Sequence, residues 1–130
     1  MVRNGLFAIT CLLLFSLRAV AQMAIVEIEE PQFAKSVAGI VMDPSHAPIG
    51  GVTVEMRSED WKKVLRTTGT DENGRFRFRS RGKGRLRFPA RSTTVYYLEF
   101  SRSGFNRVRL KLQRDKKAKP VIMVEMPVAT

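Results

Sequence analysis

The chain has 130 residues, of which 44% are hydrophobic and 8% are aromatic. This composition is that of a chain that folds around an apolar core, and it excludes an intrinsically disordered protein. Basic residues outnumber acidic residues by 23 to 12, so the chain carries a net charge of +11 and favours polyanionic partners. A chain of this length has room for one domain.

The N-terminus has the three parts of an export signal. Arg3 supplies a positive charge, residues 6–17 form an apolar run, and residues 19–21 have the small-x-small pattern Ala-Val-Ala before Gln22. We therefore predict that residues 1–21 are a signal peptide, and that the mature protein is extracytoplasmic, either periplasmic or secreted. An uncleaved anchor is the alternative, but the apolar run is shorter than the roughly 20 residues that a spanning helix needs.

Cleavage after residue 21 changes both the charge and the cysteine content. Arg3 and Arg18 leave with the signal, so 21 basic residues remain against 12 acidic ones and the mature charge is +9. Cys11, the single cysteine, also leaves. The mature chain then holds no disulfide, no thiolate metal site and no thiol nucleophile. A short signal and no mature cysteine suit a protein of the bacterial envelope.

The mature chain has the pattern of an all-β protein. Residues 22–35 mix apolar and acidic side chains and contain Pro31, which predicts a flexible leader or an edge strand. From residue 36 the apolar residues recur with a period near two, in short runs broken by turn-forming pairs such as Gly50-Gly51 and Ser103-Gly104. Seven strands are predicted, over residues 37–42, 52–57, 64–70, 75–79, 95–101, 106–112 and 121–126.

Three segments carry motifs of a known family: residues 37–44 (VAGIVMDP), 47–54 (APIGGVTV) and 68–78 (TGTDENGRFRF). Together with Gly104-Phe105, their order and spacing resemble the carboxypeptidase regulatory-like domain family. The resemblance covers about residues 36–126 and implies a sandwich domain over residues 36–127. The implied fold is a seven-stranded antiparallel β-sandwich, transthyretin-like with Greek-key topology. Domains of this family are accessory modules beside catalytic, transport or adhesive partners.

The turn in the third segment has a physical logic of its own. Asp71 can accept backbone N–H groups, and Gly74 can take a left-handed conformation. The turn then delivers Phe76 inward on the next strand. We interpret these three residues as a fold motif and not as a catalytic site.

Arginines alternate along the strand that follows this turn. A spacing of two places Arg75, Arg77 and Arg79 on one face with the phenylalanines opposite, and the basic residues continue through the Arg-rich residues 80–94, where the chain departs from the family pattern. Such a row can bind phosphate, sulfate or uronate groups; the alternative is a solvated face that protects a sheet edge. The candidate anion-binding residues are Arg75, Arg77, Arg79, Arg81, Arg85 and Arg87.

Trp61 is the candidate glycan contact. It is the single tryptophan and lies among charged residues in a predicted loop, where its ring could stack on a sugar. Packing against the sheet is the alternative. Tyr96 and Tyr97 could extend the same platform, although alternation turns at least one of them inward.

No catalytic or metal site is predicted. His46 is the only histidine, and no second histidine or mature cysteine can join it in a zinc site. We find no nucleophile with a base and no carboxylate pair, so we expect no enzyme activity and no cofactor. The sequence predicts an exported, non-catalytic binding module that contacts an anionic envelope polysaccharide, an anionic lipid or a protein partner; export makes nucleic acid an unexpected ligand. The alternatives are a structural assembly unit and a carbohydrate-binding module.

Overall fold

The computed structural model of the protein describes residues 24–79 and 95–130. Within these ranges the chain forms strands and turns, and none of it forms a helix able to cross a membrane. The predicted signal peptide lies outside them. The strands are β1 (Ile25–Ala34), β2 (Ala38–Met42), β3 (Thr53–Arg57), β4 (Val64–Gly69), β5 (Arg75–Arg77), β6 (Val95–Ser101), β7 (Arg107–Arg114) and β8 (Ile122–Glu125).

These strands form two sheets. The large sheet has the order β1-β7-β6-β3-β4, and the small sheet has the order β5-β2-β8. Each sheet turns its apolar side chains toward the other, because residues alternate between the two faces of a strand. The predicted all-β sandwich is therefore confirmed.

The strand count and the pairing differ from the seven antiparallel strands that were predicted. The described residues contain an eighth strand, β1, and β1 runs parallel to β7 while β2 runs parallel to β8. The other four pairings are antiparallel. Hydrophobic alternation assigns side chains to faces but carries no information on the direction of a distant neighbour, so it predicted the strands and not these two pairings.

The core fills the space between the sheets. Phe100 on β6 is fully buried, and its ring centroid lies 5.3 Å from that of Phe76 on β5 in an edge-to-face contact. This contact joins the two sheets directly. The other fully buried side chains include Met56, Leu98, Leu110, Leu112 and Met126.

Thr70 shapes the corner where the chain passes from the large sheet to the small one. Its buried hydroxyl donates to the carbonyl of Ile49 at 2.7 Å and accepts from the backbone N–H of Val52 at 2.9 Å. Both bonds satisfy backbone groups in a buried place, where an unpaired polar group is costly. The corner leads directly into the Asp71 turn and β5.

Candidate functional site

The Asp71 turn sets the direction in which β5 begins. Oδ1 of Asp71 accepts from the backbone N–H groups of Asn73 and Arg75, both at 2.9 Å. Gly74 has φ +72°, and a Cβ at this position would lie 2.5 Å from the carbonyl oxygen of Val41. Only glycine fits this conformation and this close approach. Phe76 follows with its side chain 4% exposed, so β5 enters the sheet with its aromatic face inward.

The arginines of β5 lie on the opposite face. Arg75, Arg77 and Arg79 are exposed, and they alternate with the buried Phe76 and Phe78. The strand ends at Arg77, but the N–H of Phe78 still donates to the carbonyl of Val37 at 3.1 Å. The structure therefore brings together three of the six candidate anion-binding residues. The other three, Arg81, Arg85 and Arg87, lie outside the described residues.

A groove of about 730 Å³ runs beside these arginines. Its apolar part comes from the small sheet, where Ala38 pairs with Arg77 and Ile40 pairs with Arg75. Asp71 also lines the groove, but its Oδ1 already accepts the two backbone hydrogen bonds of the turn. The lining residues are Ala38, Gly39, Ile40, Thr68, Gly69, Asp71, Arg75, Phe76, Arg77, Arg79 and Val121.

Arg66 on β4 adds a fourth guanidinium at this side of the molecule. It donates a hydrogen bond to the carbonyl of Arg79, and its guanidinium carbon lies 5.8 Å from the centroid of the Phe78 ring. This contact links the edge strand of the large sheet to the end of β5. Arg66, Arg75, Arg77 and Arg79 are hereafter called the basic surface.

The three arginines of the β5 segment lack a salt-bridge partner within residues 24–79 and 95–130. In the part of the chain that the structure describes, Arg75, Arg77 and Arg79 form no ion pair. Between Glu72 and Glu99 the sequence contains eight basic residues and no acidic one. Among the described residues no carboxylate occupies these three guanidiniums, so they remain available to an external anion.

The outer face of the large sheet carries a second polar arrangement, which the sequence analysis missed. Strand pairing aligns Glu55, Glu99, Arg109 and Glu27 in one row across β3, β6, β7 and β1. Arg109 faces an acidic residue on each side, and opposite charges paired in this way contribute to sheet stability. Glu55 and Glu99 face each other with like charge, and Arg57 lies against both of them. The alternating charges in β3 and β7 indicate that these strands have a polar face, but only the register shows which charged residues are neighbours.

Glu99 lies at the centre of this row and is 1% exposed. Its Oε1 accepts from Nε of Arg109 at 2.7 Å, and its Oε2 lies 3.1 Å from Nη2 of Arg57 without accepting a hydrogen bond among the described residues. Burial by itself raises the pKa of Glu99, but the Arg109 hydrogen bond and the charges of Arg57, Arg109 and Arg107 outweigh it and lower the pKa below its ordinary value. Glu99 is therefore an ionised, buried carboxylate.

Trp61 lies over this face, within the loop that joins β3 to β4. Its backbone has φ +65°, and its carbonyl accepts from Nη1 of Arg57 at 2.8 Å. The guanidinium carbon of Arg109 lies 5.0 Å from the centroid of the indole, and the Tyr97 ring meets it edge-on at 5.5 Å. The indole is half-buried. These are packing contacts, and they also fix the orientation of the ring.

His46 and the turn acids form no cluster. His46 is exposed, with φ +68°, in a turn where Oδ1 of Asp43 accepts from the backbone of Ser45 and Ala47. The Ser45 hydroxyl and the Ala47 N–H hold the pKa of Asp43 below its ordinary value. Across residues 24–79 and 95–130, no three His, Cys, Asp or Glu side chains come together in a way that could hold a metal ion.

Comparison with known proteins identifies the family. No curated protein matches the chain significantly. A family model, the carboxypeptidase regulatory-like domain, matches residues 36–126, which include β2 to β8 and leave β1 outside. Members of this family are typically non-catalytic β-sandwich modules. The matched segment is most of the chain and its two-sheet sandwich is the fold of that family, so the protein belongs to the carboxypeptidase regulatory-like domain family.

Proposed function

We propose that the protein is an exported, non-catalytic binding module whose basic surface contacts an anionic component of the cell envelope. One observation carries the proposal: Arg75, Arg77 and Arg79 lie exposed on one strand, without an ion pair in the described residues, beside a groove of about 730 Å³. The family membership supports the non-catalytic part of the proposal. The predicted signal peptide supports the location.

The spacing of the arginines suits a repeating anion. Alternate residues of a strand stand about 6.5–7 Å apart on one face. Guanidinium groups bind carboxylate, phosphate and sulfate through paired hydrogen bonds that a lysine row could not reproduce. A polymer or a surface with several anionic groups would therefore engage more than one arginine at once. The apolar floor of Ala38, Ile40 and Val121 also offers contact to the non-polar part of such a ligand.

The test is binding of the mature chain to isolated envelope fractions at about 50 and about 300 mM salt, since screening shortens the reach of exposed charges as salt rises. We expect retention at low salt and its loss at high salt. Vesicles of anionic lipid and immobilised acidic polysaccharide, tested in parallel, distinguish the two kinds of envelope ligand.

A charge-matched pair of variants separates the basic surface from the net charge. R75Q/R77Q/R79Q removes three positive charges from β5, and K116Q/K117Q/K119Q removes three from exposed positions in the β7–β8 turn. We expect the first variant to lose at least about tenfold in affinity, the equivalent of one charge-assisted hydrogen bond or more. The proposal fails if both variants weaken binding equally, or if neither does.

A further inference from the structure

The outer face of the large sheet holds a groove that the proposed function does not use. It has a volume of about 370 Å³ and lies between Trp61 and the two strands β1 and β7. We propose that this groove binds an uncharged sugar, with Trp61 as its apolar wall. Its volume is within the range of small-molecule sites and at the lower end of it, which suits a ligand of one or a few rings. The lining residues are Glu27, Ile28, Glu29, Trp61, Arg109, Leu110 and Lys111.

Trp61 is held in place through both its backbone and its ring. Trp61 has a positive φ, which is disfavoured for a residue other than glycine and more so for a bulky one. The hydrogen bond from Arg57 to its carbonyl helps to offset this cost, and Arg109 and Tyr97 fix the ring. Strained residues that the surrounding structure holds in place concentrate at binding sites. A ring fixed in this way loses little entropy when a ligand stacks on it.

The charges of the groove are balanced. Glu27 and Glu29 stand against Arg109 and Lys111, so an ion of either sign gains no net attraction there. This is the reverse of the basic surface, where positive charge is uncompensated. An uncharged ligand can bind in such a groove without disrupting the pairing of charges that is already present.

The same four side chains supply donors and acceptors close together. Carboxylates accept hydrogen bonds, ammonium and guanidinium groups donate them, and a sugar hydroxyl does both. The guanidinium of Arg109 is already oriented, since its Nε donates to Glu99 at 2.7 Å and its Nη1 lies 3.8 Å from Oε1 of Glu27. A polyhydroxylated ring with an apolar C–H face therefore matches the groove in both its polar and its apolar parts.

The experiment uses the fluorescence of Trp61, the only tryptophan of the chain. The mature chain is titrated with neutral tetrasaccharides of glucose, of galactose and of N-acetylglucosamine. We expect a saturable change in emission with at least one of them. Because no net charge is involved, the same dissociation constant is expected at about 50 and at about 300 mM salt.

Variants at the rim test the polar contacts without touching the buried Glu99 network. Glu29 and Lys111 are exposed, so E29Q and K111Q leave the fold intact, and each is expected to weaken binding at least about fivefold. E125Q, an exposed change on the small sheet, is the matched control and should bind as the wild type does.

The outcomes separate this site from the basic surface. R75Q/R77Q/R79Q should bind the sugar normally, and E29Q should bind envelope fractions normally, so either proposal can fail alone. The sugar site is overturned if no tetrasaccharide changes the emission, if E29Q and K111Q bind as well as the wild type, or if binding weakens with salt as it would for a charged ligand.

Discussion

Glu99 lies on the outward face of β6, where alternation places solvent-exposed side chains, and yet it is 1% exposed. Arg57 and Arg109 reach it from the two strands that flank β6, and each also has a second acidic partner, Glu55 and Glu27. Removing one partner of a buried carboxylate in such a network destabilises the folded protein, because the remaining charge is buried without full compensation. The network therefore joins polar side chains of four neighbouring strands to one another.

Replacing Glu99 by glutamine should lower stability at neutral pH. Breaking a buried pair costs about 3–5 kcal/mol; because Arg57 and Arg109 keep Glu55 and Glu27, we expect a smaller loss, about 2 kcal/mol. The folded-state pKa of Glu99 is below its ordinary value of 4.5, so its contribution is present above pH 4.5 and is lost as the pH falls through the folded-state pKa.

Urea unfolding between pH 7 and pH 3 measures both effects. The wild type should lose stability steeply on acidification, and E99Q should lose less, because it has already lost this contribution. E125Q, at an exposed position, serves as the control and should follow the wild type. If the stability of E99Q falls between pH 7 and pH 3 as steeply as that of the wild type, then Glu99 is not the source of the loss.

Single residues differed in how far the sequence could predict them. The Asp71 turn was predictable because its contacts are local, within four residues. Glu99 and Trp61 were not, because their partners come from other strands and the register decides which residues meet. Alternation along β6 would have placed Glu99 in solvent.

At the scale of elements, β1 is the part whose role the sequence left open between a leader and an edge strand. In the structure it is an edge strand on β7, with Ala34 fully buried and Val26 and Ile28 packed against the core. Pro31 lies where the register shifts, between Ile28 and Gln32. Proline is tolerated in sheets at edges and bulges, which explains how the strand accommodates it.

Removing β1 should expose the edge of β7. A chain that begins at Lys35 loses the partly buried Val26 and Ile28 and the buried Ala34, and we expect it to be less stable by about 3 kcal/mol. Its unpaired edge should also promote self-association. Urea unfolding and sedimentation velocity measure these two effects.

The control for this truncation keeps the strand and changes its charge. E29Q/E30Q retains every strand residue that packs on the core, so it should have the same stability and the same sedimentation coefficient as the parent chain. If the truncated chain unfolds at the same urea concentration as the parent, then β1 adds nothing to the stability of the sandwich.

At the scale of the whole molecule, the two sheets share one core and should unfold together. Phe76 comes from the small sheet and Phe100 from the large one, and F76A leaves a cavity between them. We expect F76A to lower the free energy of unfolding by about 3–4 kcal/mol. F33A, at a position that is 49% exposed, should cost far less.

Two probes test whether the two sheets unfold in a single transition. Trp61 fluorescence reports on the large sheet, and far-UV circular dichroism reports on both sheets. In a cooperative molecule the two curves coincide for the wild type and for F76A. Curves that separate in the wild type would mean that the sheets are stable independently of each other.

The fold as a whole was predictable to the level of strands and layers. Each of the seven predicted strands occurs within two residues of its predicted ends, because alternation and turn residues are properties of short segments. The parallel neighbours of β1 and β2 were not predictable in this way. The arginine row of β5 was predictable, because it depends on alternation within one strand, whereas the balanced charges on the large sheet emerge only when distant strands lie side by side.

The two parallel pairings have a consequence for the order of folding. Among the strands of the described residues, β1 and β2 come first in the chain, and their parallel partners β7 and β8 come last. A chain that is completed from its N-terminus therefore carries two strands with unpaired edges until its final residues arrive. Contacts between residues so far apart in sequence slow the folding of a small domain. We therefore expect the two parallel pairings to be among the last contacts that form.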